Sequence, residues 1–266
     1  MVNRSRNALA DLVDDLQSRG RYTFTGAELQ AHGLRSDIAW QAAVRRLKQQ
    51  GRIVAPRRGF YVAVPIEYRV AGCPPASWFI DDLMRHLGQP YYVGLLTAAS
   101  LHGAAHQQPM AFQVVTNRPT RQVTAGRVRI EFHVNRAVKQ VPVSEIQTEA
   151  GTMRVSTPEV SAFDLVRYSE ASGHLSNVAT VLSELAEKIQ ADKLVALAPL
   201  YRVPEVQRLG FLLELVAKPV LAEPLAKWLQ RERFRPVPLS HGGALGKKRP
   251  DPRWRVIPNV RIEVDL

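Results

Sequence analysis

The first fifty residues place apolar positions at the spacing of amphipathic helices. One stripe recurs at i, i+3, i+4 and i+7 and predicts a helix that ends near Gly20. Its members are Leu9, Leu12, Val13 and Leu16. A second, short helix is predicted from Thr25 to His32-Gly33, because Thr25-Gly-Ala-Glu28 has the capping-box pattern. The stretch between them leaves room for a short strand at Thr23–Phe24.

A third helix is predicted from Ser36, a favoured N-cap residue, to Gln50, with Gly51 just beyond its end. Four residues share one face of this helix and are expected in the core. They are Trp40, Ala43, Val44 and Leu47. Residues 52–64 then read as strand, basic turn and strand, with Arg57-Arg58-Gly59 at the turn. Three helices followed by such a hairpin predict a winged helix-turn-helix over residues 5–64.

The periodic spacing of hydrophobic residues stops between Val64-Pro65 and Gly72-Cys73-Pro74-Pro75, and we interpret this stretch as a boundary between two domains. We therefore expect an α+β protein with two domains: a winged helix-turn-helix at residues 1–70 and a larger mixed α/β domain at residues 73–266. Strands are expected early in the second domain and helices later. The predicted helices cover 77–88, 91–103, 157–168, 174–189, 191–199, 204–217 and 221–232, and the predicted strands cover 112–116, 128–134, 146–155, 253–257 and 260–264.

The net charge of the chain indicates which class of partner it binds. The formal net charge is +12 with a pI near 10.2, and nucleic acid is the commonest anionic partner of so basic a protein. Residues 1–70 hold 12 Lys and Arg against 6 Asp and Glu, and residues 231–255 hold 8 against 2. A membrane surface is the rival partner, but no basic amphipathic helix stands out. The start lacks a secretory pattern and no apolar run is long enough to cross a membrane, so we expect a cytoplasmic protein.

The predicted winged helix assigns roles to particular side chains. The third helix can enter the major groove, where Gln41 and Arg45 reach base edges, while the hairpin tip contacts phosphates or the minor groove. The candidate DNA-binding residues are Ser36, Asp37, Gln41, Arg45, Arg46, Lys48, Arg57 and Arg58. The alternative is a winged-helix fold that contacts protein instead.

Candidate catalytic and metal-binding patterns fail on inspection. His102 and His106 have ligand spacing, but Gly103 ends the helix and no third ligand follows, so a histidine that caps the helix end is the preferred interpretation. Gly242 to Lys248 is one residue short of a phosphate loop, and its basic residues either touch nucleic acid or form a solvated patch. Glu159 and Asp164 do not share a helix face, and Cys73 has no nucleophile signature. We expect no enzyme activity, no cofactor and no metal.

Several segments in this order resemble the AbiEi-type antitoxins. They are Ala43–Val54, Arg58-Gly-Phe-Tyr-Val62, Tyr91–Gly103 with its Leu-His-Gly ending, Val115-Thr-Asn-Arg118 and Ser156-Thr-Pro-Glu-Val-Ser-Ala-Phe-Asp-Leu165. The resemblance covers nearly the whole chain and is weakest after about residue 235.

The resemblance implies a bifunctional repressor and antitoxin of a type IV toxin–antitoxin system, used in abortive infection against phage. The N-terminal domain would bind inverted repeats in double-stranded DNA at its own operon promoter. The C-terminal domain would counteract a nucleotidyltransferase toxin, without needing a stable complex. Our candidate antitoxin surface is His102, Arg118, Lys247, Lys248 and Arg249. Alternatives are a ligand-sensing winged-helix regulator and a nucleic-acid-processing enzyme.

Overall fold

A computed structural model describes residues 4–31, 38–104, 109–242 and 248–264. The chain divides into two compact units, each of which draws on separate segments. Unit 1 comprises residues 1–92, 110–136 and 145–154, and unit 2 comprises residues 93–109, 137–144 and 155–266. The described residues form a mixed α+β structure, with strands concentrated in the first part and helices in the second, as expected from the sequence.

The N-terminal part of unit 1 contains helices and strands in the predicted order. The elements are α1 (Arg4–Ser18), β1 (Thr23–Thr25), α2 (Gly26–Ala31), α3 (Ile38–Gln49), β2 (Ile53–Arg57) and β3 (Phe60–Ala63). The strands form an antiparallel sheet in the order β1-β3-β2. The predicted stripe on α1 packs with Phe24, Leu29 and Leu47 in one hydrophobic core.

The capping box at α2 forms as predicted. The Glu28 amide donates to Thr25 Oγ1 at 3.2 Å, and the Thr25 amide donates to Glu28 Oε2 at 2.7 Å. Two backbone donors that the helix cannot satisfy are thereby paired, which fixes where α2 begins.

Further along the chain, the structure adds a helix and a block of strands. Short 3₁₀ helices at Ile66–Tyr68 and Ala76–Trp78 lead into α4 (Ile80–Leu87), so the helix predicted from 77 begins three residues later. Strands β5 (Phe112–Thr116) and β7 (Val128–Val134) pair in parallel, and β6 (Val123–Ala125) pairs antiparallel with β7. With β4 (Tyr91–Val93), β8 (Val143–Thr148) and β9 (Gly151–Ser156) they make a six-stranded sheet in the order β6-β7-β5-β4-β9-β8.

The single helix predicted over 91–103 is wrong. Residues 91–93 form β4, in which every side chain is buried, and α5 (Leu95–Leu101) begins only after Gly94. The turn is sharp, because Leu95 has a φ of 52°. Aromatic and β-branched side chains favour a strand here, and a strand buried on both faces lacks the alternation that would have revealed it.

Unit 2 is dominated by helices. They are α5, α6 (Pro158–Arg167), α7 (His174–Leu185), α8 (Ala191–Leu197), α9 (Val203–Leu215) and α10 (Pro219–Leu229). Helix α9 packs against α6, α7 and α10, and α5 packs against α6. Every side chain of α6 from Glu159 to Val166 is buried, so this helix lies inside the unit.

Polar side chains of α9 help to hold the C-terminal segment, which follows α10. Its strands β10 (Val237–Pro238) and β11 (Val256–Ile257) are short and parallel, and the strand predicted over 260–264 is absent from the described structure. The Gln207 amide donates to the Trp254 carbonyl at 2.7 Å, and the Arg208 guanidinium donates to the Pro238 carbonyl at 2.9 Å. Specific side-chain bonds thus replace a longer β ladder.

Candidate nucleic-acid interface and buried polar cluster

Helix α3 separates an apolar face from a basic one. Ala43 and Leu47 are buried in the core of the N-terminal part, and Trp40 and Val44 pack against it, as predicted. On the other face Gln41, Arg45 and Lys48 are exposed at the i, i+4 and i+7 spacing that puts them in one row. The face therefore offers two positive charges and an amide to a partner.

The row borders an open hollow of about 510 Å³ on unit 1. Its lining includes Trp40 and Val44 of α3 and Tyr61 of β3, and Tyr61 stacks on Phe24 with ring centroids 5.2 Å apart. Arg46 is half-buried on the flank of the helix, while Ser36 and Asp37 lie outside the described residues. The exposed side chains of Gln41, Arg45 and Lys48 therefore lie beside a hollow lined by the aromatic rings of Trp40 and Tyr61.

The two arginines of the β2–β3 hairpin that were predicted to bind DNA differ in exposure and in hydrogen bonding. Gly59 has a φ of 75° at its turn, a conformation that glycine adopts without strain. Arg58 is exposed, whereas Arg57 is half-buried and its guanidinium donates to the backbone carbonyls of Arg121 and Gln122. Burial, and then the positive charge of Arg121, lower the pKa of Arg57.

A buried polar cluster lies in unit 2 between α6 and the start of α9. The Tyr201 hydroxyl donates to Asp164 Oδ1 at 3.4 Å, and Asp164 is fully buried. The Tyr201 ring stacks on Phe163 with centroids 4.2 Å apart. Nearby, Arg167 Nε and Glu205 Oε1 form an ion pair at 3.4 Å. Sequence reasoning missed this cluster, although an aspartate inside an otherwise apolar helix is a signal for it.

Burial controls ionisation within the cluster. It raises the pKa of Tyr201 far above the ordinary value, and the negative charge of Asp164 adds to this. It raises the pKa of Tyr168 as well. For Arg167, burial lowers the pKa, but Tyr168 and the carboxylates of Glu205 and Asp164 raise it by more. The tyrosines therefore stay neutral and the arginine charged, which suits a structural network.

The residues predicted as an antitoxin surface have individual local roles. His102 is the C-cap residue of α5, and its Nε2 lies 2.7 Å from the Ser156 carbonyl oxygen. Arg118 is exposed and donates to the Leu87 carbonyl at 3.3 Å. Lys248 Nζ donates to the Pro258 carbonyl at 2.7 Å, and Arg249 is exposed. Lys247 lies outside the described residues.

The basic segment at residues 231–255 is only partly neutralised. The Arg253 guanidinium pairs with Glu214 and Glu223, and Arg255 lies over the Phe234 ring at 4.7 Å. Arg233 and Arg235 are exposed and line a hollow of about 690 Å³. This is a solvated basic groove on unit 2.

No metal centre is assembled among the described residues, where no three His, Cys, Asp or Glu side chains converge. His106, half of the predicted histidine pair, lies outside those residues. Burial raises the pKa of the Cys73 thiol to about 12, so it is a poor nucleophile. None of the described helices is long and apolar enough to cross a membrane.

Comparison with known proteins identifies the class of the chain. Residues 92–215, from within β4 to the end of α9, match the family model described as the AbiEi antitoxin C-terminal domain. This segment therefore matches the AbiEi antitoxin domain, which confirms the resemblance drawn from the sequence and supports an antitoxin role in a toxin–antitoxin system.

The crystal structure of the RV2827C protein from Mycobacterium tuberculosis has a similar fold. The TM-score is 0.67 at 16% sequence identity, and the match covers 92% of this chain and 89% of that one. At this identity the likeness concerns the fold alone. No curated protein matches the chain.

Proposed function

We propose that this antitoxin is also a DNA-binding repressor of its own operon. In this view residues 1–70 form a winged helix-turn-helix domain and residues 73–266 the antitoxin domain. The observation that carries the proposal is the basic row on α3, where Gln41, Arg45 and Lys48 are exposed above a helix face that packs into the core. A solvent-facing helix of this kind fits the major groove of B-DNA.

Two further features support the proposal. The β2–β3 hairpin follows α3 directly, and Arg58 at its turn is exposed, which is what a wing needs to reach a phosphate. The N-terminal seventy residues hold 12 Lys and Arg against 6 Asp and Glu. Gln41 and Arg45 would contact bases, while Lys48, Arg58 and the flanking Arg46 would contact the backbone.

The test is binding of the full chain to its own upstream DNA. Fluorescence anisotropy would compare that duplex with a shuffled duplex of equal length and composition at several salt concentrations. We expect tighter binding to the upstream duplex and a steep loss of affinity with salt. Absence of binding to either duplex at low salt would refute a DNA-binding role.

For the antitoxin domain we propose a nucleotidyltransferase toxin as the target, neutralised in the cytoplasm during phage defence without a stable complex. The family match over residues 92–215 supports an antitoxin role, and the toxin class rests on the family resemblance. Co-expression with a neighbouring nucleotidyltransferase should restore growth. The Arg45→Ala variant is the matched control, since it should lose operator binding and keep rescue.

A further inference from the structure

The β2–β3 turn and the loop between β5 and β6 are tied together by one side chain. Arg57 Nη1 donates to the Gln122 carbonyl at 3.3 Å, and Nη2 donates to the Arg121 carbonyl. Strand β2 also packs against β6. All these residues belong to unit 1. Two N–H groups of Arg57 are thus committed inside the protein, and the planar guanidinium bridges two successive carbonyls in a fork geometry that lysine does not have.

The turn and the loop are each held from a second side as well. His86 Nε2 of α4 lies 3.1 Å from the Arg58 carbonyl oxygen, and the His86 ring packs on Phe60 with centroids 5.4 Å apart. The Thr120 hydroxyl donates to Gln89 Oε1 at 2.9 Å. The backbone of both segments is therefore held by side-chain contacts on two sides. This reduces the conformational entropy that the segments would lose when their outward side chains bind a partner.

The outward arginine side chains of the turn and the loop have no acidic partner in the part of the chain that the structure describes. Arg58 on the turn and Arg121 on the loop are both exposed, and neither forms an ion pair with any described residue. Other carboxylates of unit 1 already have cationic partners, since Asp81 and Asp82 pair with Arg85 and Glu131 pairs with Arg129. Arg121 is close enough to Arg57 for its charge to lower the pKa of Arg57. Exposed positive charges on two backbone segments that Arg57 ties together, without an acidic partner among the described residues, suit a polyanion such as a nucleic-acid backbone.

We propose that Arg58 and Arg121 together bind the phosphate backbone of one DNA duplex, and that Arg57 is a positioning residue that holds Arg121 beside the turn. The inference rests on the proposed DNA-binding function and extends it. The DNA contact then runs from the hairpin onto the loop at residues 117–122, outside the N-terminal seventy residues. Arg57, which the sequence suggested as a phosphate ligand, acts through Arg121 instead.

The test measures the salt dependence of affinity for the full chain on its own upstream duplex and on the shuffled duplex. Arg58→Ala and Arg121→Ala should each weaken binding to both duplexes by the same factor and lower the slope of log K against log salt by about 1. Arg127→Ala is the matched control, since Arg127 is an exposed arginine at the β6–β7 turn of the same unit. It should leave the slope unchanged.

A double-mutant cycle tests the positioning role. In an Arg57→Ala background, Arg121→Ala should lose most of its effect on the slope, because the loop no longer holds Arg121 in place. Arg57→Lys keeps the charge but cannot bridge two carbonyls in fork geometry, so it should behave like Arg57→Ala. A lysine variant with wild-type slope, or full additivity of the two substitutions, would overturn the positioning role.

The outcomes separate this inference from the function on which it rests. If the wild-type chain binds neither duplex, the DNA-binding function itself fails. If the wild type and Arg58→Ala behave as expected while Arg121→Ala matches Arg127→Ala, the shared phosphate site is refuted. An Arg121→Ala variant that impairs rescue from toxin but leaves the slope intact would refute it too, and would indicate an acidic protein partner.

Discussion

The basic row on α3 and the polar cluster beside α6 use the same residue types in opposite ways. On α3 the glutamine, arginine and lysine are exposed, and the apolar face beneath them does the packing. In the cluster Asp164 is fully buried, and Arg167 and Glu205 are mostly so, with each group facing a partner. Charged groups that remain solvated are available to a ligand, whereas charged groups that are desolvated must be satisfied by the protein itself.

This contrast predicts a separation of effects. Substitutions in the interior of unit 2 should reduce stability, and antitoxicity only as a consequence. Substitutions on the α3 face should change DNA binding and leave the fold intact. Four stability measurements sharpen or break that separation.

The largest loss of stability is expected at Gly210 in α9. A Cβ atom there would lie 2.0 Å from the buried Trp254 ring, so Gly210→Ala must displace the indole. Alanine in a helix interior ordinarily gains about 1 kcal/mol over glycine, but displacing a fully buried indole should cost more than the roughly 1–3 kcal/mol typical of overpacking, so the net loss should be the largest of the four. Urea denaturation measures this, with Gly26→Ala as control, because its Cβ meets nothing within 4 Å. A more stable Gly210→Ala variant would contradict the packing described here.

The second largest loss is expected for Tyr201→Phe. It removes the hydroxyl that donates to Asp164 and should cost about 1–3 kcal/mol, because a buried carboxyl loses a donor. The control is Tyr68→Phe, because the Tyr68 hydroxyl makes no hydrogen bond with the described residues. This substitution should change the free energy of unfolding little. Equal denaturation midpoints for the two variants would remove the energetic role assigned to the cluster.

A smaller and pH-dependent loss is expected for Glu28→Gln at the start of α2. Burial raises the pKa of Glu28, but hydrogen bonds from Arg21 and from the Thr25 amide and hydroxyl lower it by more, leaving it below its ordinary value of 4.5. A lowered folded-state pKa stabilises the protein above the unfolded value, and that contribution is lost as the pH falls through the folded value.

The stability difference between wild type and Glu28→Gln should therefore be present at pH 6–7 and shrink progressively as the pH falls below 4.5, as measured by denaturant unfolding at several pH values. A difference that does not change with pH would mean that the charge of Glu28 is not what stabilises the cap.

The smallest effect on stability is expected for the double substitution Arg45→Ala with Lys48→Ala. Both side chains are exposed, so the free energy of unfolding should change by less than about 0.5 kcal/mol. Thermal unfolding followed by circular dichroism checks this. A large loss would place these residues in the structural core of the unit and would break the contrast with the cluster.

Local patterns in the sequence predicted much of this fold. Three features could be predicted because each depends on residues close together in the sequence. They are the apolar stripe on α1, the capping box at Thr25 and the alternation of Val128–Val134. Strand β4 was missed because its side chains are all buried, and Gly94 ends it within a run that resembles a helix.

Long-range contacts were beyond such patterns. Arg57 meets a loop more than sixty positions away, and Tyr201 meets Asp164 across thirty-seven. Exposure of Gln41, Arg45 and Lys48 followed directly from helix periodicity, whereas the bridging role of Arg57 depends on how a distant loop folds back. The sequence therefore indicated which side chains are basic. The structure adds which of them are exposed and which are hydrogen-bonded within the protein.

The most direct test of the central claim is the specificity ratio of the Gln41→Ala, Arg45→Ala double variant. The ratio compares affinity for the chain's own upstream duplex with affinity for the shuffled duplex at one fixed salt concentration. We expect the ratio to fall by at least tenfold towards one, with thermal unfolding unchanged, because each lost base contact removes about 1–3 kcal/mol of discrimination. An unchanged ratio in a folded variant would contradict the assignment of the α3 face as the base-reading surface.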